Sequence, residues 1–249
     1  MTTDALLTTL VVMVSVLLLL AIAVTAGLVV WVWRRRRGRA RPSSSPASST
    51  NNASPIGEAG EPWEFRTVSS QRVTLDVLQP SDFEDLYAME SDPRRFRYEL
   101  EEPPSRDEIA EKLRRGLTAT RLRDPGDYIY PAIRDSSGNF LGTLYLKVHG
   151  DTPDRAVEAG IALTRPAQRQ GYALEALELL FDLAFAKFRV HRVLAELDLR
   201  NIASTRLCEQ LGMRKEAHFL QDRWVKGAWI DTGCYAILEH EWTPRHLSS

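Results

Sequence analysis

The chain has 249 residues, enough for one domain of ordinary size with extra segments or for two small ones. Its 32 basic residues nearly balance 33 acidic ones, but six arginines and two acids fall within residues 1–60, so 61–249 carries 26 bases against 31 acids. That net-acidic body lacks the basic footprint of a nucleic-acid binder, and the two cysteines, Cys208 and Cys234, form neither a disulfide framework nor a metal-ligand pattern with any His, Asp or Glu.

After a short tail (1–4), residues 5–33 contain no charge and are rich in Leu, Val and Ala. As a helix this run reaches roughly 40 Å at about 1.5 Å per residue, more than the hydrocarbon core of about 30 Å. Trp31 and Trp33 stand at its end, where amphipathic rings favour the interface, and Arg34 to Arg37 follow at once. A secretory signal would carry its charges before a shorter apolar core. The expectation is a single transmembrane helix, with the lipid bilayer as a partner through residues 5–33. The positive-inside rule then sets the N-terminus outside and everything after Arg34 in the cytoplasm of a single-pass cell-membrane protein. Residues 34–62 are a basic juxtamembrane segment and a linker of Ser, Pro, Asn and Gly with almost nothing to pack.

One domain is expected over 63–242, with a tail at 243–249. Val73 to Leu78 alternates like a strand. Ser81 with Glu84, and Ser105 with Glu108, each read as a capping box opening a helix. Tyr128 to Arg134 and Phe140 to Val148, joined by Ser136-Ser137-Gly138-Asn139, read as a hairpin. Ala156 to Leu163 is a further strand. Leu174, Leu177, Leu180, Phe181, Ala184, Phe185 and Phe188 recur at helical spacing, predicting a helix over 173–188. Val193 to Leu199 is a strand, and a helix over 201–211 is closed by Gly212. Two more strands fit 213–221 and 229–238. Mixed order of this kind implies an α/β fold with parallel and antiparallel pairs.

The sharpest local feature is Gln168-Arg169-Gln170-Gly171-Tyr172-Ala173, between a strand and a long helix. A turn of this kind leaves backbone N–H groups free at a helix N-terminus, where they and the helix dipole attract phosphate. Gly171 allows close approach, Ala173 avoids a clash in the first turn, and Arg169 adds charge.

Gln168, Gly171 and Ala173 match a Q-x-x-G-x-A loop. Behind it come Glu175-Ala176-Leu177, His191-Arg192-Val193, Asn201 with Ser204, Leu211-Gly212-Met213, and Trp224, Gly227, Trp229 and Asp231. In that order these motifs resemble the GNAT acetyltransferase superfamily, within it the RimJ/RimL-like branch, over about residues 66–242. The resemblance implies a splayed mixed sheet flanked by helices, gripping acetyl-CoA between two parallel strands. Gln168, Arg169, Gln170, Gly171, Tyr172 and Ala173 would hold the pyrophosphate. Ile161, Leu163, Asn201 and Ser204 are further cofactor contacts. It also implies transfer of an acetyl group to an amine, a protein N-terminus or a small molecule. The alternative is a lapsed acyl-CoA-binding or scaffold module.

A protonated amine is not a nucleophile, so a base is needed, and the thioester carbonyl needs donors for developing charge. Backbone N–H groups of 157–163 would polarise the carbonyl, with Gly160 permitting a bulge. Glu158 resembles the family's water-mediated base, or is a solvated strand residue. Many relatives carry a tyrosine acid seven residues after the helix asparagine, a position taken here by Cys208. Ser204 and Cys208 are the candidate proton donors. Asn201 contacts the pantetheine arm, caps its helix, or both. Trp224 and Trp229 line an acceptor cleft or simply pack their hairpin.

Overall fold

A computed structural model describes residues 64–150 and 154–246. Among them no helix is long and apolar enough to cross a membrane. The longest, Tyr172–Ala186, has 15 residues, which at about 1.5 Å per residue falls short of a hydrocarbon core of about 30 Å. The expected span at 5–33 and the linker at 34–62 lie outside the described residues. The assignment to a single-pass cell-membrane protein with a cytoplasmic catalytic domain is corrected accordingly: the described fold holds no membrane-crossing element.

Among the described residues nine strands form one sheet: β1 Val68–Ser69, β2 Val73–Asp76, β3 Tyr128–Ile129, β4 Ala132–Asp135, β5 Phe140–Val148, β6 Ala156–Leu163, β7 Arg192–Asp198, β8 Arg214–Val225 and β9 Ala228–Leu238. The order across the sheet is β1-β2-β4-β5-β6-β7-β9-β8, with β3 also on β5. The helices are α1 Phe83–Glu90, α2 Arg106–Gly116, α3 Tyr172–Ala186 and α4 Ile202–Gln210. Every pairing is antiparallel except β6 with β7.

Alternation along β6 divides the fold into two layers. Val157 and Ala159, with Ile161 and Leu163 beside them, pack into the larger apolar cluster with Leu177, Leu180 and Phe181 of α3. Ala162 instead meets the smaller cluster, with Leu86 of α1 and Ile109 and Leu113 of α2. A strand's period of two permits this sorting. The two faces of β6 therefore look into different layers, and Glu158 shares the parity of Ala162.

The capping box at Ser105 is as expected: its side chain accepts from the Glu108 N–H, and Glu108 accepts from the Ser105 N–H at 2.7 Å. The one at Ser81 is not. There the chain makes a 3-10 turn over Pro80–Asp82, and buried Asp82 accepts from the Gln79 N–H at 2.8 Å. Proline at the first position favours that tighter entry, so α1 begins at Phe83. Pro131 has no N–H to donate and stands between β3 and β4, dividing the first arm of the expected hairpin. The last strand pair is longer than expected, turning at Lys226 and Gly227, both with positive φ.

Candidate active site

The parallel pair is short. Ala156 to Glu158 of β6 face Arg192 to Leu194 of β7, and beyond that the strands part. β6 stays paired with β5 as far as Leu163, and β7 with β9 as far as Asp198. Their facing edges thus carry backbone N–H and C=O groups with no ladder partner among the described residues, and such groups demand a partner. A cleft of about 800 Å³ opens here, walled by Ala159 to Ala162, by Ala195 to Asp198 and by the start of α4.

Glu158, Ile161, Asn201, Ser204 and Cys208 all line this cleft. Leu163 and the loop at 168–173 are not among its walls; the loop stands past the end of β6. Asn201 caps α4, its Oδ1 accepting from the Ser204 N–H at 3.2 Å. The Ser204 hydroxyl has no hydrogen-bond partner among the described residues. Cys208 is buried, and burial first, then the charge of Glu209, pushes its thiol up to about 12.

Gly160 makes no bulge: β5 and β6 run in unbroken register from Gly142 with Leu163 to Val148 with Val157. Its missing side chain serves a different purpose. A Cβ there would lie 2.1 Å from Cε1 of Tyr145, its cross-strand partner, so the tyrosine ring lies over the glycine. From that position the Tyr145 hydroxyl donates to Glu158 Oε1 at 2.9 Å. Burial, and then the charge of Glu158, push the Tyr145 hydroxyl far up, so it remains a donor. Sequence reading missed Tyr145, since one aromatic on an alternating strand is ordinary.

Opposite Glu158, buried Glu90 of α1 accepts from Lys112 of α2 at 2.7 Å and from the Tyr130 hydroxyl at 3.4 Å, and pairs with Arg95 at 3.3 Å. Thr143 donates to the Tyr130 hydroxyl at 3.0 Å. This network ties α2 and the segment after Arg95 to the sheet. Lys226, at the tip of the β8–β9 hairpin, donates to the carbonyls of Phe96 and Glu101 and holds the same segment from the other side. Glu99 and Glu101 of that segment also line the cleft. Trp224 and Trp229 do not: they stack edge-to-face at 5.4 Å and stay largely exposed.

Side chains hold the carbonyls of the loop after β6. Gln168 Nε2 donates to Leu163 O at 3.1 Å, Gln170 Nε2 to Pro166 O at 2.5 Å, and Arg72 Nη1 to Gln170 O at 3.1 Å. Arg169 and Gly171 take positive φ, 61° and 83°. The N–H groups of residues 169–174 have no partner among the described residues. A row of free N–H groups at the N-terminus of a 15-residue helix suits a diphosphate.

Residues 72–214 match the family described as the Acetyltransferase (GNAT) domain. The chain belongs to the GNAT acetyltransferase family. An uncharacterized N-acetyltransferase of Bacillus subtilis, YnaD, is 25% identical over 175 residues, 70% of this chain and 98% of that protein. Spermidine N(1)-acetyltransferase of Vibrio cholerae is 22% identical over 177 residues, 71% and 98% of the two chains. A GNAT-family acetyltransferase structure from Bacillus anthracis superimposes with a TM-score of 0.62 at 22% identity, covering 70% and 99%. The chain is an acetyl-CoA-dependent N-acetyltransferase with the mixed, splayed GNAT sheet. The open strand edges and the N–H row both belong to this GNAT fold.

Proposed function

We propose that this enzyme is RimJ/RimL-like and acetylates a small primary amine that carries a further positive charge, with Glu158 as the base. The observation that carries the reading is the Tyr145–Glu158 hydrogen bond, made on the strand that parts from β7. Acetyl-CoA supplies an activated acyl thioester. The open edge of β6 offers N–H groups to the carbonyl oxygen as it gains charge. Glu158, held in one orientation by a donor that does not ionise, takes the ammonium proton directly or through water. Ser204, whose hydroxyl lines the cleft with no hydrogen-bond partner among the described residues, is placed to donate a hydrogen bond to the departing sulfur and to relay a proton to it from water, whereas Cys208 is buried. Asn201 sets the first turn of α4 that presents Ser204, and Ile161 and Leu163 lie along the pantetheine path. Gln168 to Ala173 take the pyrophosphate.

The acceptor reading rests on charge. Around the cleft, Glu90 is committed to Lys112 and Arg95, Glu196 to Arg223, and Asp198 to Arg200. Glu99, Glu101 and Glu158 have no ion-pair partner among the described residues, against Lys147 as the uncommitted base on that rim. Three free carboxylates favour a polycation, and a relative at 22% identity acts on spermidine. The test is thiol release from acetyl-CoA with a panel of polyamines, monoamines and peptides with free N-termini. Polyamines should give the highest kcat/KM. Preference for uncharged monoamines would overturn the acceptor class, and CoA binding without thiol release from any amine would overturn the reaction.

A further inference from the structure

Glu175 presents a difficulty for the cofactor loop. It lies in the first turn of α3 with 8% of its surface exposed, where a diphosphate is to be bound. A carboxylate within one turn of that site repels the ligand unless its charge is cancelled. Its cancelling partner comes from 103 residues earlier. Arg72 Nε donates to Glu175 Oε2 at 2.8 Å, and the Arg72 backbone N–H and the Ser70 hydroxyl donate to Oε1 at 2.8 and 2.7 Å. Burial works against the charged form, but these hydrogen bonds outweigh it and hold the carboxyl below its usual range.

The same guanidinium also grips the loop. Nη1 donates to Gln170 O at 3.1 Å, the plane lies over the Tyr172 ring at 5.2 Å, and Nη2 stands 3.2 Å from where a Cβ of Gly171 would be. One side chain on the turn between β1 and β2 therefore touches residues 170, 172 and 175 and stands beside Gly171. Its fork geometry is specific to arginine, since a lysine ammonium cannot serve Nε and Nη1 partners at once. With the Gln170 carbonyl held by Arg72, the Gly171 N–H of the same trans peptide points the opposite way, away from the guanidinium.

We infer that Arg72 is a positioning residue for acetyl-CoA: it neutralises Glu175 and pins Gln170, and so makes the N-terminus of α3 competent to hold the cofactor's diphosphate. The inference concerns the cofactor half alone and holds whatever the acceptor is.

The full chain is compared with its Arg72→Gln, Glu175→Gln, Arg72→Gln/Glu175→Gln and Arg72→Lys variants. CoA binding is followed by calorimetry, folding by thermal melting, and steady-state KM for acetyl-CoA and acceptor by thiol release. Arg72→Gln should weaken CoA binding about tenfold or more and raise KM for acetyl-CoA in step, with acceptor KM unchanged. Adding Glu175→Gln should recover most of that loss, because the uncancelled charge is gone; a purely structural role gives no such recovery. Arg72→Lys should fall between. An unchanged CoA affinity in Arg72→Gln, or a double variant no better than it, overturns the inference. If Arg72→Gln does not fold, Glu175→Gln decides: affinity kept within about threefold supports the inference, and a tenfold loss overturns it. CoA binding involves neither acceptor nor turnover, so failure here and failure of the acetyl-transfer reading are separately visible.

Discussion

Tyr145 and Glu158 stand on neighbouring strands and on one face, joined by a 2.9 Å hydrogen bond that exists because the residue opposite Tyr145 is glycine. The tyrosine stays protonated, since burial and the nearby charges of Glu158, Glu99 and Glu101 all push its hydroxyl up. A donor that never ionises fixes the carboxylate's orientation without competing for its proton. Glu158 is thereby aimed by its surroundings.

Tyr145→Phe removes that donor and little volume. One hydrogen bond to a charged group contributes about 1.5 to 3 kcal/mol, so kcat/KM should fall by about tenfold or more. Glu158→Gln should be worse, by about a hundredfold at neutral pH. Both variants should bind CoA as the parent does in calorimetry. A Tyr145→Phe variant with the parent's kcat/KM removes the tyrosine from this role.

Gly160→Ala tests the same geometry from the other strand. The added methyl would meet Tyr145 Cε1 at 2.1 Å, so the ring must move and the hydroxyl leaves Glu158. Overpacking of this kind costs about 1 to 3 kcal/mol of stability, readable as a lower melting temperature. Activity should fall as it does in Tyr145→Phe. Combining the two should add little further loss of rate, because both break one contact. Additive losses would show that Gly160 acts in another way, for example through its backbone.

Much of this layout was legible in the chain. The strand at Ala156 to Leu163 and the helical spacing after Gly171 marked the strand–loop–helix proposed to carry the cofactor, and Ser105 with Glu108 marked the start of α2. These signals are local, and the structure keeps them. The residues that were not legible depend on distant partners. Arg72 gains its meaning from Glu175, and Tyr145 from Gly160 and Glu158, through strand register that no local pattern encodes. The entry to α1 was misread because Asp82, not Ser81, reaches back to an N–H once Pro80 tightens the turn.

Cys208 lines the cleft from α4, and its chemistry is set by burial. A thiol raised to about 12 is neutral at pH 8, so iodoacetamide should label Cys208 slowly in the folded enzyme and rapidly in urea. Cys208→Ala should leave the alkaline limb of the rate profile in place. Stability carries a sign as well. The unfolded thiol ionises near 9.0 and the folded one near 12, so the unfolded state gains charge first as pH rises. The melting temperature of the parent should drop across pH 9 to 12 more than that of Cys208→Ala. Equal slopes would mean the thiol is more accessible than its 6% exposure implies.

Gly171 gives the sharpest test of the cofactor loop. Its φ of 83° lies in the left-handed region, and a Cβ there would stand 3.2 Å from the Arg72 guanidinium. Gly171→Ala therefore carries backbone strain of about 1 to 2 kcal/mol and a slight displacement of Arg72. CoA affinity should weaken by about tenfold, and the melting temperature should fall modestly. Gly171→Glu adds a carboxylate amid the free N–H groups of residues 169–174, where it competes for the donors a diphosphate needs. CoA binding should then drop below detection while the residue, being exposed, leaves the core intact. A folded Gly171→Glu enzyme that still binds CoA would show that the diphosphate sits somewhere other than this loop, because no anion tolerates an unpaired like charge in the same row of donors.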